Sequence, residues 1–211
     1  MRKTFSDAPF SALAFGVCAL GILAILGQVC QTRGAKAGAV AKPEQATQRN
    51  EAESRSAFLA AYPVFMHPRC MNCHPNGDAP LQGEDSHVHL QNVQRGPDGK
   101  GLFAMKCANC HQPKNLPGEG MPPGHPEWHL PPANMPMVFE GRTAAQLARQ
   151  LKDPRQNGGK TLEEIVHHCA EDSLVATGWH PGENRSVPPL TQAEFGKKIR
   201  EWIEKGAAIP E

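Results

Sequence analysis

The sequence predicts a mainly α-helical fold with long Pro/Gly-rich loops behind an N-terminal signal or anchor helix. Three observations predict it. Threonine opens three amphipathic runs in the C-terminal third, each time with Gln or Glu three residues later, the pattern of a helix capping box. Gly and Pro contribute 20 residues each among 211, well above the roughly 12% of average usage. No alternating apolar pattern longer than a few residues marks a strand.

At the N-terminus, Arg2 and Lys3 precede FSALAFGVCALGILAIL, residues 10–26, apolar except for Ser11. A basic start followed by an apolar run is the pattern of export. The run exceeds the roughly 7–15 residues of a signal core and approaches the ~20 that span a bilayer. Residues 1–30 therefore read as a cleaved signal peptide or as a membrane anchor, with Ala35-Lys36-Ala37 as an A-x-A cleavage site. Neither Cys18 nor Cys30 follows a lipoprotein-type signal. Residues 31–57 read as a flexible tether, polar and without apolar periodicity through residue 50. A helical pattern over residues 51–66, with Pro63 and Pro68 as breakers, leads into a single domain, residues 58–211.

Within that domain residues 75–100 are turn chemistry, Asn76-Gly77-Asp78 and Gly96-Pro97-Asp98-Gly99. GLFAMKCANCH, residues 101–111, reads as a short helical pattern, and the eight prolines of residues 112–141 exclude regular structure. Thr143 opens a helix through Lys152 with Ala144, Leu147, Ala148 and Leu151 on one face. Thr161 opens another through about Glu171, facing inward with Leu162, Ile165, Val166 and Cys169. Thr191 opens the last, with Phe195, Ile199, Trp202 and Ile203 at amphipathic spacing.

Charge narrows the function. Four of the 22 basic residues (Arg2, Lys3, Arg33, Lys36) lie near the N-terminus, leaving the rest slightly acidic, so no basic field gathers nucleic acid. The eight Phe, three Trp and one Tyr make a thin core, which a bound group can supplement.

The chemistry lies in RCMNCHP, residues 69–75, and KCANCHQ, residues 106–112. Both contain C-x-x-C-H, the attachment signature of c-type haem. Two thiols one turn apart each add to a vinyl group of the macrocycle, and the adjacent histidine binds the iron. Random order would produce one such motif on the order of once per hundred such chains, so two point to design. The predicted cofactors are two covalent haems, held by Cys70, Cys73 and His74 and by Cys107, Cys110 and His111. A zinc ion held by all four cysteines accounts for the thiols, and disulfides or a dithiol redox pair do likewise, but each leaves both histidines unexplained.

The chain here resembles small dihaem c-type cytochromes. More narrowly, RCMNCHPNGDAPLQGED, HLQNVQRGPDGKG, PEWHLPPANMPMVFEG and QLKDPRQNGG resemble the proteobacterial family labelled isoquinoline 1-oxidoreductase subunit, over roughly residues 62–208. The resemblance implies a dihaem cytochrome c-like domain that accepts electrons beside a molybdenum hydroxylase.

Each iron takes a second axial ligand, His or Met. His87 and His89 sit in GEDSHVHLQ, and the family pattern favours His89, the histidine before QNV. His129, pinned between Trp128 and two prolines, is the second candidate, ahead of His125. Met121, Met135 and Met137 share that Pro-rich loop and keep a His/Met pairing in view. His67 stands too close to Cys70 to reach over its own ring. His167 and His168 fall away from the apolar face of their helix, as solvated groups or propionate contacts. His180 reads as a packing residue and Cys169 as an inert buried thiol. Arg95, Arg142 and Arg185 are propionate partners or surface residues.

These readings converge on a periplasmic relay of single electrons between a dehydrogenase and a respiratory acceptor, soluble after cleavage or tethered to the membrane. A haem enzyme with one open iron position, a peroxidase or small-molecule reductase, is the alternative. A redox-sensing or docking module is a third.

Overall fold

Pro43 begins the first helix, α1 (Pro43–Phe65), in the structure of the protein, a computed structural model that describes residues 43–211. The expected signal or anchor and the first part of the tether lie outside the described residues. Where the tether was expected to run through residue 57, the chain from Pro43 onward is helical. Its polar residues are good helix formers, and two i,i+4 pairs brace them, Arg49–Glu53 at 3.2 Å and Arg55–Glu51 at 3.0 Å. Among the described residues no helix is long and apolar enough to cross a membrane.

The second half of α1 buries a stripe of Ser54, Ala57, Phe58, Ala61, Val64 and Phe65. Ser54 is the polar member. Its hydroxyl donates to the Trp202 carbonyl at 2.7 Å and accepts from the Ala208 N–H at 3.0 Å, so its burial leaves nothing unpaired.

The next elements are short. The helix α2 (Pro68–Met71) carries the first motif. Two antiparallel hairpins follow, β1 (Leu81–Gln82) with β2 (His87–Val88), and β3 (Gly101–Leu102) with β4 (Met105–Lys106). The second motif starts on a 3-10 turn, Cys107–Asn109, not on the expected helical segment. Gly101 at φ +88° and Phe103 at φ +44° put left-handed backbone inside the run, which a helix excludes and a tight hairpin uses. The prolines of residues 112–141 give loops throughout, as expected.

Helices α3 (Ala144–Lys152), α4 (Leu162–Glu171), α5 (Ser173–Ala176) and α6 (Gln192–Glu204) complete the chain. All three expected capping boxes form, at Thr143 with Gln146, Thr161 with Glu164 and Thr191 with Glu194. Each Thr hydroxyl accepts an otherwise orphaned N–H, worth about 1 kcal/mol. The expected inner faces are the buried ones, with Ala144, Leu162 and Ile203 at their margins.

Helix α6 is central and packs on α1 and α4. Trp202 lies 4.8 Å from Phe58 between ring centroids, and Phe65 meets Phe195 and Phe139 edge-on at 4.9 and 5.2 Å, a geometry aromatic quadrupoles favour. At Gly196 a Cβ would stand 2.4 Å from the Ala170 Cβ, so glycine is what lets α6 and α4 approach this closely.

Candidate functional site

The first motif is wound by a short helical turn. His67 caps α2 by accepting the Arg69 N–H on Nδ1 at 3.2 Å, and Pro68 opens the helix. Cys73 N–H bonds Cys70 O at 3.2 Å and His74 N–H bonds Met71 O at 2.9 Å. Cys70 consequently packs against the helical core while Cys73, one turn on, lines a cavity.

His74 is clamped by residues 137–140. Its Nδ1 lies 2.6 Å from the Met137 carbonyl, and its ring stacks on Phe139 at 3.8 Å and 14°. Its own carbonyl accepts the Phe139 and Glu140 N–H groups. A carbonyl only accepts, so Nδ1 carries the proton and Nε2 keeps its lone pair. Burial lowers the His74 pKa to about 3, with Met137 opposing and His168 and Arg95 adding to the fall. The ring is neutral, as an iron ligand must be.

The second motif repeats this construction on a different element. Cys110 N–H and His111 N–H both bond the Cys107 carbonyl. His111 donates from Nδ1 to the Pro123 carbonyl at 2.7 Å and stacks on Trp128 at 4.2 Å and 9°. Burial lowers its pKa, helped by nearby His89 and Arg185. Both motif histidines thus have one nitrogen tied down, a ring face braced and Nε2 left free, the arrangement metal-binding imidazoles adopt.

The likeness extends beyond C-x-x-C-H. Both motifs read basic-Cys-x-Asn-Cys-His. Asn72 Nδ2 donates to the Gly83 carbonyl at 3.0 Å and Asn109 Nδ2 to the Ala104 carbonyl, each in a hairpin turn. Arg69 reaches the same Gly83 carbonyl at 3.1 Å, and Lys106 the Gly101 carbonyl at 2.7 Å. These hairpin-fastening residues escaped the reading of the motif. The signal was the shared basic residue and asparagine.

The two motifs open on one cavity of about 580 Å³, in the size range of small-molecule and cofactor sites. Cys73 lines it from the first motif; Cys107, Cys110 and His111 line it from the second, with His89 and Trp128. The charged residues lining it are Arg69, Lys106 and Arg185, of which Arg69 is paired with Glu84 at 2.7 Å. Three wall residues hold buried polar atoms without a hydrogen-bond partner, Arg69 Nε, Asn72 Oδ1 and His89 Nδ1. Such atoms are rare in native proteins, where a water, an ion or a bound group meets them. A flat apolar ring with carboxylates at its edge fits this donor set, and haem is such a group.

The remaining candidates separate. His89 lines the cavity with His111, while His87, in β2, pairs with Asp85 at 2.6 Å. His129 donates to the Glu127 carbonyl at 2.6 Å and is not on the cavity wall. His125 has both nitrogens engaged, accepting the Glu127 N–H and bonding Ser173. Met121, Met135 and Met137 do not line the cavity. The Met137 carbonyl stands behind His74, and its sulfur receives Gln150.

His67 is a cap that also meets Ser186. His167 is exposed beside Glu171, and the exposed His180 receives Asn115 on its carbonyl. Cys169 is buried in the core, as expected.

Arg185 holds the Pro181 and Met121 carbonyls, and Arg142 lies half-buried with its carbonyl accepting the Tyr62 hydroxyl. Arg95 is no surface residue: it is 1% exposed. It donates to the Pro131 and Gly77 carbonyls, each at 2.7 Å, and Asp78 comes only within 3.9 Å.

The described thiols are all free. Burial pushes Cys70 up to about 12 and Cys73 to about 11, opposite to the lowered values of a dithiol redox pair. Among the described residues no three His, Cys, Asp or Glu side chains converge as a metal cluster. The chain matches no family model, no curated protein and no solved structure.

Proposed function

We propose that the chain is an exported dihaem c-type cytochrome that passes single electrons from a dehydrogenase to a respiratory acceptor. The observation that carries this reading is the shared build of the two motifs. Each sets two free thiols beside a neutral histidine whose Nδ1 is bonded to a carbonyl and whose Nε2 is free. The six residues are Cys70, Cys73 and His74, and Cys107, Cys110 and His111. The four thiols would hold the two groups as thioethers, the sulfur of each joined to one vinyl carbon and its proton to the other, with nothing lost.

When bound, the group supplies a reversible one-electron couple at its iron. The chain's residues do the rest. Phe139 and Trp128 brace the ligating rings, and the carbonyls of Met137 and Pro123 fix which nitrogen is free. Lys106 and Arg185 line the cavity without an ion-pair partner among the described residues, suited to carboxylate edges; Arg69 is already paired with Glu84. His89, which lines that cavity together with His111, would be a second ligand to the iron there. Because Cys73 and Cys107 face one cavity, the two groups would lie close enough for an electron to pass directly between them.

The donor follows from the sequence resemblance, a molybdenum hydroxylase or similar dehydrogenase, and the site is on the periplasmic side of the membrane. The test is a pyridine haemochrome assay with an electron paramagnetic resonance spectrum on the chain matured in a bacterium that attaches haem. Two covalent low-spin haems per chain are expected. One high-spin haem that binds carbon monoxide would mean an enzyme with an open iron, and zinc without haem would refute both.

A further inference from the structure

We infer that the tip of the second hairpin, Leu102 to Met105, is where a redox partner docks, a protein surface with an apolar hollow rimmed by carboxylates. Electrons then enter or leave the chain at the second motif, not the first. This rests on the dihaem reading and adds the partner's chemistry and the end of the chain it meets.

The chain carries its own comparison. Each motif fastens a hairpin with the same two side chains, the basic residue before its first cysteine and the asparagine before its second. The two tips differ. The first, Gly83-Glu84-Asp85-Ser86, is polar and tied to its own chain: Glu84 meets Arg69 and Ser186, and Asp85 holds His87 at 2.6 Å. The second, Leu102-Phe103-Ala104-Met105, is wholly apolar, with Leu102 paired to Met105 across the strands. Phe103 is 89% exposed and Met105 45%.

Phe103 also sits at φ +44°, where a bulky side chain is strained and glycine is not. No burial offsets that strain, because the ring stands in solvent. Strain kept at an exposed aromatic points to a role outside the fold. The tip is nonetheless firmly mounted. Lys106 Nζ donates to the Gly101 carbonyl at 2.7 Å, Asn109 Nδ2 to the Ala104 carbonyl, and the Cys107 N–H to the Lys100 carbonyl at 3.2 Å. The mount runs straight into Cys107 and the exposed Cys110. A fixed aromatic anchor is the kind of side chain that concentrates binding energy in a protein interface.

Charge selects the partner. Residues 99–118 contain Lys100, Lys106 and Lys114 and no Asp or Glu, whereas residues 77–90 contain Asp78, Glu84 and Asp85 and no Lys or Arg. Lys100 pairs with Glu127, while Lys106 and Lys114 have no ion-pair partner among the described residues. Cationic groups around an apolar point steer an acidic protein to it. A second copy meeting it face to face would set lysine against lysine. A bilayer binds in proportion to the apolar area buried, and a single turn offers little.

The test uses the full chain with haem attached, and reduced [2Fe–2S] ferredoxin, an acidic one-electron protein, as the probe. Ferredoxin should protect residues 101–110 from hydrogen exchange and leave residues 81–90 unchanged. Phe103→Gly relieves the strain and so keeps the hairpin. It should slow reduction by ferredoxin about tenfold, while reduction by dithionite stays the same. Lys114→Glu should slow the ferredoxin reaction at low salt and not at high salt. Protection of the first hairpin, or an unchanged ferredoxin rate in Phe103→Gly, overturns the inference. So does binding to phosphatidylcholine–phosphatidylserine vesicles, or a dimer in sedimentation, that Phe103→Gly abolishes. A wild-type chain without covalent haem contradicts the dihaem reading beneath it instead.

Discussion

The helical half of the molecule and its loop half are held together differently. In the helices α1, α3, α4 and α6, Phe58, Val64, Leu147, Ile199 and Trp202 are fully buried, and the buried Ser54 finds both partners. In the loops between residues 75 and 142, a guanidinium is buried with no acid inside 3.9 Å. Buried polar atoms there and in the first motif lack partners, and Ser86, Asn92, Phe103 and Met137 adopt positive φ. Strain and unpaired groups persist where surroundings over-determine them. The contrast teaches that one half is closed by a side-chain core, while the other folds loops, left-handed turns and a buried guanidinium around a cavity.

The largest break in the comparison comes from the core. Trp202→Ala removes the side chain at the centre of α6 and the indole N–H bond to the Ala208 carbonyl. It should cost about 3–5 kcal/mol, read as a lower urea midpoint for the whole chain. Retained stability would mean that the loops, not the helices, carry the fold.

Arg95→Met is the corresponding change in the shell. It strands the Pro131 and Gly77 carbonyls, each loss costing about 1–3 kcal/mol. Hydrogen exchange should speed up across residues 75–135 and stay slow in α1 and α6. Equal acceleration in both halves would erase the distinction drawn here.

Thr161→Ala is smaller. Loss of the hydroxyl that accepts the Glu164 N–H should destabilise α4 by about 1 kcal/mol, measured by thermal melting, while Thr161→Ser should be near neutral.

The smallest effect is in pH. Backbone N–H bonds from Thr161 and Thr191 hold the Glu164 and Glu194 pKa values below the ordinary 4.5. A carboxylate with a lowered folded pKa contributes stability above its unfolded value and loses it as pH falls through the folded one. These contributions should fade below about pH 4.5. The double variant Glu164→Gln with Glu194→Gln should flatten the acid limb of a stability profile; an unchanged limb would show that other groups drive it.

The same contrast decides what could be read from the sequence. The three capping boxes and their stripes were legible because caps and helical periodicity are local. The first turns of α1 were not, because a polar helix without an apolar stripe looks like a tether. In the shell, the repeat of the two motifs was legible from its spacing. The hairpin under the second motif was hidden because a phenylalanine, Phe103, takes the left-handed position in its turn, a conformation that residue rarely adopts. Arg95 was misplaced because a sequence reading sees only a residue's chain neighbours, and what buries it is distant chain, the carbonyls of Gly77 and Pro131.

The most direct test of the central claim is the intact mass of the matured protein beside that of Cys107→Ser with Cys110→Ser. The account predicts the mass of two haems on the wild-type chain and of one on the variant, with the helical signature unchanged. A bare polypeptide mass for the wild type, or equal haem content in both, would contradict it.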